Sequence, residues 1–256
     1  MTSLTELATL VDDAARYAKA IPQITNDLPD FGIDDAYAVQ ALSVRRRLER
    51  GEKRIGVKMG LTSRAKMIQV GVDEVIWGRL TDAMILEEGG ELSRNRYVHP
   101  RVEPEVAFLI GKPLAGTVTA LEAMAAVAGV APAMEIIDSR YEAFRFALPD
   151  VIADNSSSSG LVIGGFVSPS VDIGNLGTVL SANGAVRQIG STAALLGHPV
   201  RSLVAAARMV AQWGETLRPG DIVMAGGITA AHPLTVGEHI RTEIEGLGRV
   251  AITVKD

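Results

Sequence analysis

The chain has 256 residues, of which 47% are hydrophobic and 21% charged, with a formal net charge of −5 and no cysteine. Disulfides, thiolate metal sites and cysteine nucleophiles are therefore excluded, and the negative balance argues against a basic nucleic-acid footprint. No apolar run approaches the roughly eighteen residues of a membrane span, and the start Met1-Thr-Ser-Leu-Thr-Glu6 shows no secretory signal, so the expectation is a cytoplasmic enzyme that engages neither nucleic acid nor membrane.

Ser3 and Glu6 make a capping-box pattern ahead of Leu7, Leu10, Val11, Ala14 and Ala18, which predicts an amphipathic helix over 3–19. After a loop punctuated by Pro22 and Pro29, a second helix is expected from near Asp34, with Tyr37, Ala41, Val44 and Leu48 on one stripe and Gly51 as terminator. Its run Arg45-Arg46-Arg47, flanked by Glu49 and Glu52, reads as a solvated helix side. Ile55 to Met59 reads as a strand, and Ser63 as the cap of a short helix from Arg64 to Val70.

From about residue 85 short strands with Gly-rich turns take over: Val102 to Ile110, Ala133 to Ile137, Leu161 to Val167 and Ile222 to Ala225. Asn183-Gly184 signals one hairpin, and the alternation from His239 to Val254 around Gly246-Leu-Gly248 signals another. Helices are expected at Leu121 to Ala128 and Arg201 to Trp213. Neither a βαβ alternation nor a repeat is visible. The class is α+β, with a helical N-terminal region over 1–85 and a mixed, β-strand-rich, metal-binding catalytic body over 86–256.

The chemistry concentrates in acidic residues placed where apolar strand residues belong. In an extended chain Glu103 and Glu105 share one face. An exposed strand face would show the same spacing, but Glu135 lies within Ala131-Pro-Ala-Met-Glu-Ile-Ile137, where an unpaired carboxylate is costly. Three converging carboxylates call for a cation, and oxygen ligands favour a hard divalent ion with open positions for water or substrate. Pro104 suggests a strand edge or bulge. Lys58, between apolar neighbours and close to Gly56 and Gly60, either reaches solvent from an edge or serves developing oxyanion charge. Asp138 and Arg140 follow Glu135 closely enough to be expected near the metal, Arg140 as a fork for a second substrate carboxylate or as a structural partner of Asp138. By composition, residues 153–159 read as a flexible loop. His99, His198 and His232 each precede proline and make poor helical ligand pairs, and no nucleotide-binding glycine motif or Gly-x-Ser-x-Gly elbow is present.

Seven segments in register, Lys58-Met-Gly-Leu-Thr-Ser63, Lys66-Met67 with Gly71-Val72, His99-Pro-Arg-Val-Glu-Pro-Glu105, Glu135-Ile-Ile-Asp-Ser-Arg-Tyr141, Val151-Ile-Ala-Asp-Asn155, Leu196-Gly-His-Pro199 and Gly226-Gly-Ile-Thr-Ala230, resemble the hydratase/decarboxylase family of the fumarylacetoacetate hydrolase superfamily. The resemblance implies a body of that superfamily's fold, Mg2+ or Mn2+ on Glu103, Glu105 and Glu135, and Lys58 as the principal catalytic side chain. It implies a small 2-oxo dicarboxylic acid as substrate, with Ile76 and Trp77 as apolar walls and Leu61 and Ser159 as further contacts. Two activities occur in the family: decarboxylation of 2-oxo-3-hexenedioate and hydration of 2-hydroxypenta-2,4-dienoate. The hydratases carry an acid where this chain has Ile76, and Asp138 and Gly226-Gly-Ile-Thr229 also look like the decarboxylating branch, which is the expected one. A complex with the pathway hydratase is a further implication, and a homo-oligomer stays open.

Overall fold

A computed structural model describes residues 2–63, 67–68 and 74–256. The helix expected over 64–70 falls largely outside the described residues. Helix α1 (Leu4–Arg16) begins as its capping box requires, with Glu6 N–H donating to Ser3 Oγ at 3.2 Å and Ser3 N–H to Glu6 Oε2 at 2.7 Å. It packs on α3 (Ile33–Glu49), which follows the single-turn α2 (Ile24–Asp27). No described helix is long and apolar enough to cross a membrane.

Two sheets follow. The larger contains β1 (Arg54–Gly60), β2 (Ile76–Thr81), β3 (Ile85–Leu86), β5 (Arg101–Ile110), β6 (Val127–Ile137), β7 (Ser158–Ile163) and β10 (Ile222–Met224), in the order β2-β1-β10-β5-β6-β7-β3, with β11 (His232–Pro233) also paired to β5. The smaller runs β4 (Glu91–Ser93), β13 (Gly248–Lys255), β12 (His239–Ile244), β8 (Gly177–Ala182), β9 (Ala185–Ser191). Both hairpins expected from their glycines form, and Asn183 and Gly184 take the left-handed conformations (φ 52° and 78°) of a two-residue turn. Strands β1 and β2, from the region read as N-terminal and helical, are built into the same sheet as the carboxylate-bearing strands.

Strand alternation separates two faces of the large sheet. Val102, Met134, Ile136 and Val162 pack against Leu180, Ile240, Val250 and Ile252 of the smaller sheet. On the opposite side Leu80, Ala107, Ala131, Ala133, Leu161, Ile222 and Met224, from five different strands, form one cluster, so this face curls in on itself. Small alanines line the interior of the curl, and the acidic residues share its face. The helices, including α4 (Ala120–Ala125), α5 (Leu148–Ala153) and α6 (Pro199–Gln212), cover most of the remaining core.

Three local expectations need correction. The helix read over 121–128 stops at Ala125, because Thr119 and Glu122 cap its start while Val127 and Val130 join β6 opposite β5. The strand read over 161–167 runs from Ser158 to Ile163 and ends before Gly164-Gly165. Pro104 is not at a sheet edge: β5 is flanked by β6 along its whole length, and Pro104 faces the gap between β10 and β11, where Ile228 N–H reaches its carbonyl at 2.9 Å and no ladder donor is required of it.

Candidate active site

Glu103 and Glu135 lie directly opposite each other in the β5/β6 pairing, and Glu105 is two residues along on the same face. Carboxylate oxygens of the three lie within 4.8 Å of one another, and all three residues are buried. Gly226 N–H donates to Glu105 Oε2 at 2.8 Å. Gly226 adopts φ 108°, and a Cβ there would lie 1.9 Å from Thr62 Oγ1, so only glycine brings its amide this close.

Lys58 enters from β1, in register with Met224 of β10, and is 3% exposed. Its Nζ is 3.0 Å from Glu135 Oε2 and donates to the Ser156 carbonyl at 2.8 Å. Among the described residues Lys58 is the ammonium held against Glu135 in this cluster. Burial, then the charge of Glu135, pushes the Glu105 carboxyl well above the usual carboxylate range; burial also raises Glu135, with Lys58 opposing. Glu105 Oε1 and Glu135 Oε1 are buried without a hydrogen-bond partner among the described residues. Such oxygens are costly as they stand. Their convergence, hardness and charge fit a divalent cation such as Mg2+ or Mn2+, with the three glutamates as ligands.

The Ser156 carbonyl is placed by a segment whose composition misled. Residues 153–159 are packed, not flexible: Asn155, Ser156 and Ser157 are buried with φ of 50°, 53° and 60°. Asn155 brackets Arg79 of β2, accepting from its N–H at 2.8 Å and donating to its carbonyl at 2.9 Å. Ser156 Oγ donates to the Trp77 carbonyl at 2.7 Å. A Cβ at Gly78 would meet the Asn155 carbonyl at 2.5 Å, so the turn can lie on β2 only because residue 78 has no side chain.

Beside the carboxylates is a cavity of about 580 Å³. Lys58, Leu61, Ile76, Glu103, Ser156 and Ser157 line it, together with Arg101, Ile137, Phe144, Phe146 and Val151. The structure thus brings together Lys58, Leu61, Ile76 and the three glutamates. It places four other expected contacts elsewhere. Trp77 points to the other face of β2, stacked on Tyr37 at 5.9 Å with the Arg79 guanidinium over its ring at 4.4 Å. Asp138 accepts from the backbone N–H groups of Val98 and His99 at 2.9 and 2.5 Å. Arg140 binds Asp154 through Nε and donates to Ser159 Oγ, so its partner is Asp154 and not Asp138. Asp138, Arg140 and Ser159 line a different cavity.

Sequence reasoning passed over Arg101, although the alternation that pairs Glu103 with Glu105 puts Arg101 on the same face. Its guanidinium lies 4.1 Å from the Phe144 ring centroid, in cation–π contact. Phe144 and Phe146 carried no pattern of their own, and Phe144 reaches the cavity through a turn in which Ala143 and Phe144 have φ of 55° and 57°.

A buried acidic trio beside Lys58, on a curled mixed sheet and next to a cavity, defines a candidate metal-dependent enzyme of small oxygen-rich substrates. The profile of the fumarylacetoacetate (FAA) hydrolase C-terminal family matches residues 61–255, and the chain belongs to that family. It is 52% identical over 250 residues to a 4-oxalocrotonate decarboxylase from a Pseudomonas species, covering 98% of this chain and 97% of that protein. It is 34% identical to a 2-keto-4-pentenoate hydratase from Paraburkholderia xenovorans (strain LB400), covering 96% and 92%. Among solved structures, 4-oxalocrotonate decarboxylase from Pseudomonas putida G7, complexed with magnesium and adipate, superimposes with a TM-score of 0.95 at 40% identity, covering 98% and 97% of the two chains.

Proposed function

We propose that this chain is a metal-dependent carboxy-lyase that converts 2-oxo-3-hexenedioate (4-oxalocrotonate) to 2-hydroxypenta-2,4-dienoate and CO2 in the meta-cleavage degradation of aromatic compounds. The observation that carries the reading is the pair of Glu105 and Glu135 oxygens without a hydrogen-bond partner among the described residues, close to Lys58 and beside a cavity that holds a second cation, Arg101, against phenylalanine. Relatives at 52% identity with decarboxylase activity and at 34% with hydratase activity favour the same choice.

Glu103, Glu105 and Glu135 would hold Mg2+ or Mn2+, which supplies Lewis-acid polarisation of the substrate's C2 carbonyl. The remaining work falls to the chain's own groups. In the substrate the C5–C6 bond breaks, its electron pair becomes the C4–C5 double bond, the former C3–C4 double bond moves to C2–C3, and charge arrives on the C2 oxygen. Lys58, fixed by Glu135 and the Ser156 carbonyl, delivers a proton to that oxygen and regains one from solvent. Arg101 takes the distal carboxylate. Residues two apart on a strand are separated by about 6.8 Å, and a six-carbon chain with C–C bonds of about 1.5 Å spans a similar length, so Arg101 and Glu103 suit its two ends. Phe144 and Phe146 exclude water there, where a carboxylate becomes neutral CO2. Ile76, without a proton to exchange, offers no help to water addition.

The product is a dienol of the kind that hydratases of this family consume, and we include a complex with such a hydratase in the proposal. The reading is tested by incubating the protein with 2-oxo-3-hexenedioate, with and without EDTA, while CO2 and dienol absorbance are followed. Both should appear together, vanish on chelation and return with Mg2+. Formation of 4-hydroxy-2-oxopentanoate from the dienol, with no CO2 from the dioate, would replace it by the hydratase.

A further inference from the structure

A second cavity of about 520 Å³ shares no described wall residue with the active site. It lies where the ends of α1 and α3 meet the segments around Met84 and Asn95. Arg16, Arg47, Arg50, Arg96 and Arg140 face it, against the carboxylates of Asp12, Glu52 and Asp138. Arg140 is neutralised by Asp154, which leaves four guanidinia to three carboxylates at the cavity, and each of those carboxylates already accepts hydrogen bonds. Asp12, 1% exposed, takes Arg46 Nε at 2.8 Å and both Arg50 Nη atoms at 2.6 and 2.7 Å. Burial pushes the Asp12 carboxyl up, but the guanidinia of Arg50 and Arg46 outweigh it and hold it below its ordinary value. Glu52 accepts from Thr81 Oγ1 at 2.5 Å, and Asp138 is taken by the Val98 and His99 amides.

Arg47 is left over. Its side chain is only 15% exposed, and its ion-pair partner among the described residues, Asp12 Oδ1, is 3.8 Å away, beyond hydrogen-bond reach. Burial, and next the charge of Arg140, lower its pKa from the usual guanidinium value, with the charges of Glu52 and Asp12 opposing. Among the described residues no acceptor is within hydrogen-bond reach of this largely enclosed guanidinium, and its planar fork matches two oxygens of a carboxylate or phosphate. Arg16 and Arg96 are exposed at the same cavity and draw anions towards it.

We propose that this cavity is a second ligand site, for a small oxyanion such as the carboxylate or phosphate group of a metabolite, with Arg47 as the principal ligand and Arg16 and Arg96 at its mouth. Isothermal titration of the magnesium-saturated protein with sodium sulfate, and separately with sodium succinate, at constant ionic strength tests it. At least one probe should bind saturably at a site that Arg47→Ala weakens by about tenfold or more, the loss of one charge-assisted contact, and that Arg101→Ala in the active site leaves unchanged. Response to sulfate alone assigns a phosphate-type group, and response to succinate alone a carboxylate. Arg16→Ala and Arg96→Ala, at exposed positions that do not endanger folding, should each weaken the same site by about two- to fivefold with Tm unchanged. Absence of saturable binding for both probes would overturn the proposal. So would binding that is insensitive to all three substitutions, or that is lost only with Arg101.

Discussion

Arg101→Ala separates the proposed substrate geometry from its competitors. A hydrogen bond to a charged group contributes about 1.5–3 kcal/mol, and Arg101 is half-buried with its guanidinium on Phe144, so solvent screening places it near the lower end, about 1.5–2 kcal/mol. At about 1.4 kcal/mol per decade this is a ten- to thirtyfold weaker ground-state complex. The carboxylate it holds loses its charge as CO2 leaves, so the contact is stronger in the ground state than in the transition state. The prediction is therefore a KM raised by about ten- to thirtyfold with kcat raised by a smaller factor, so that kcat/KM falls by less than KM rises. Steady-state CO2 release measures this, with adipate and acetate as inhibitors. Adipate, which presents two carboxylates, should weaken by the same factor as the substrate, while acetate should not change. A drop in kcat at constant KM, or equal effects on adipate and acetate, would refute the placement of the distal carboxylate at Arg101.

Lys58→Met should lower kcat by about 10²–10⁴-fold and, in metal-free protein, lower stability by about 3–5 kcal/mol, because Glu135 loses its cation; melts in EDTA and in Mg2+ should show that gap narrowing with the metal. Glu105→Gln and Glu135→Gln should each weaken Mg2+ binding in calorimetry by at least about tenfold and shrink the rise in Tm that Mg2+ gives the wild type. The carboxyls of Glu105 and Glu135 are raised in the fold above their ordinary value of 4.5, so the folded state holds protons that the unfolded state releases. Their contribution to stability is thus fully present below about pH 4.5 and is lost as pH rises through the raised values. Metal-free melts should show that decline, and saturating Mg2+ should flatten it. Gly226→Ala places a methyl group 1.9 Å from Thr62 Oγ1 and 2.8 Å from Thr62 Cβ, so it should cost about 1–3 kcal/mol in denaturant melts; adding Thr62→Ala, which removes Oγ1, should recover part of this.

The acidic trio was legible because it depends on two short-range rules: alternation along β5, and the cost of a carboxylate among apolar neighbours in β6. Neither needs knowledge of which strands pair. Lys58 was singled out in the same way, as a charge flanked by apolar residues and glycines, but that pattern left a solvent-reaching edge lysine equally open, and its place beside Glu135 depends on strand pairing. The same alternation went unused elsewhere: Ile76 and Trp77 were both expected as walls, although neighbours on a strand cannot wall one cavity from one face, and Arg101, two residues before Glu103, was passed over. Arg140 is the informative failure. It lies near Glu135 in sequence, but the chain leaves β6 after Ile137 and turns, committing Asp138 to the 98–99 backbone and Arg140 to Asp154; proximity along a chain predicts proximity in space only while the strand lasts. The segment 153–159 failed for the opposite reason. Serine and asparagine tolerate left-handed turns and supply their own hydrogen bonds, so a loop-like composition is compatible with a rigid buried turn once Gly78 lets β2 approach and Trp77, Arg79 and Lys58 take its polar groups. The site's precision therefore has two sources: strand geometry that sequence periodicity reports, and a tertiary clamp on Ser156 that no local pattern encodes.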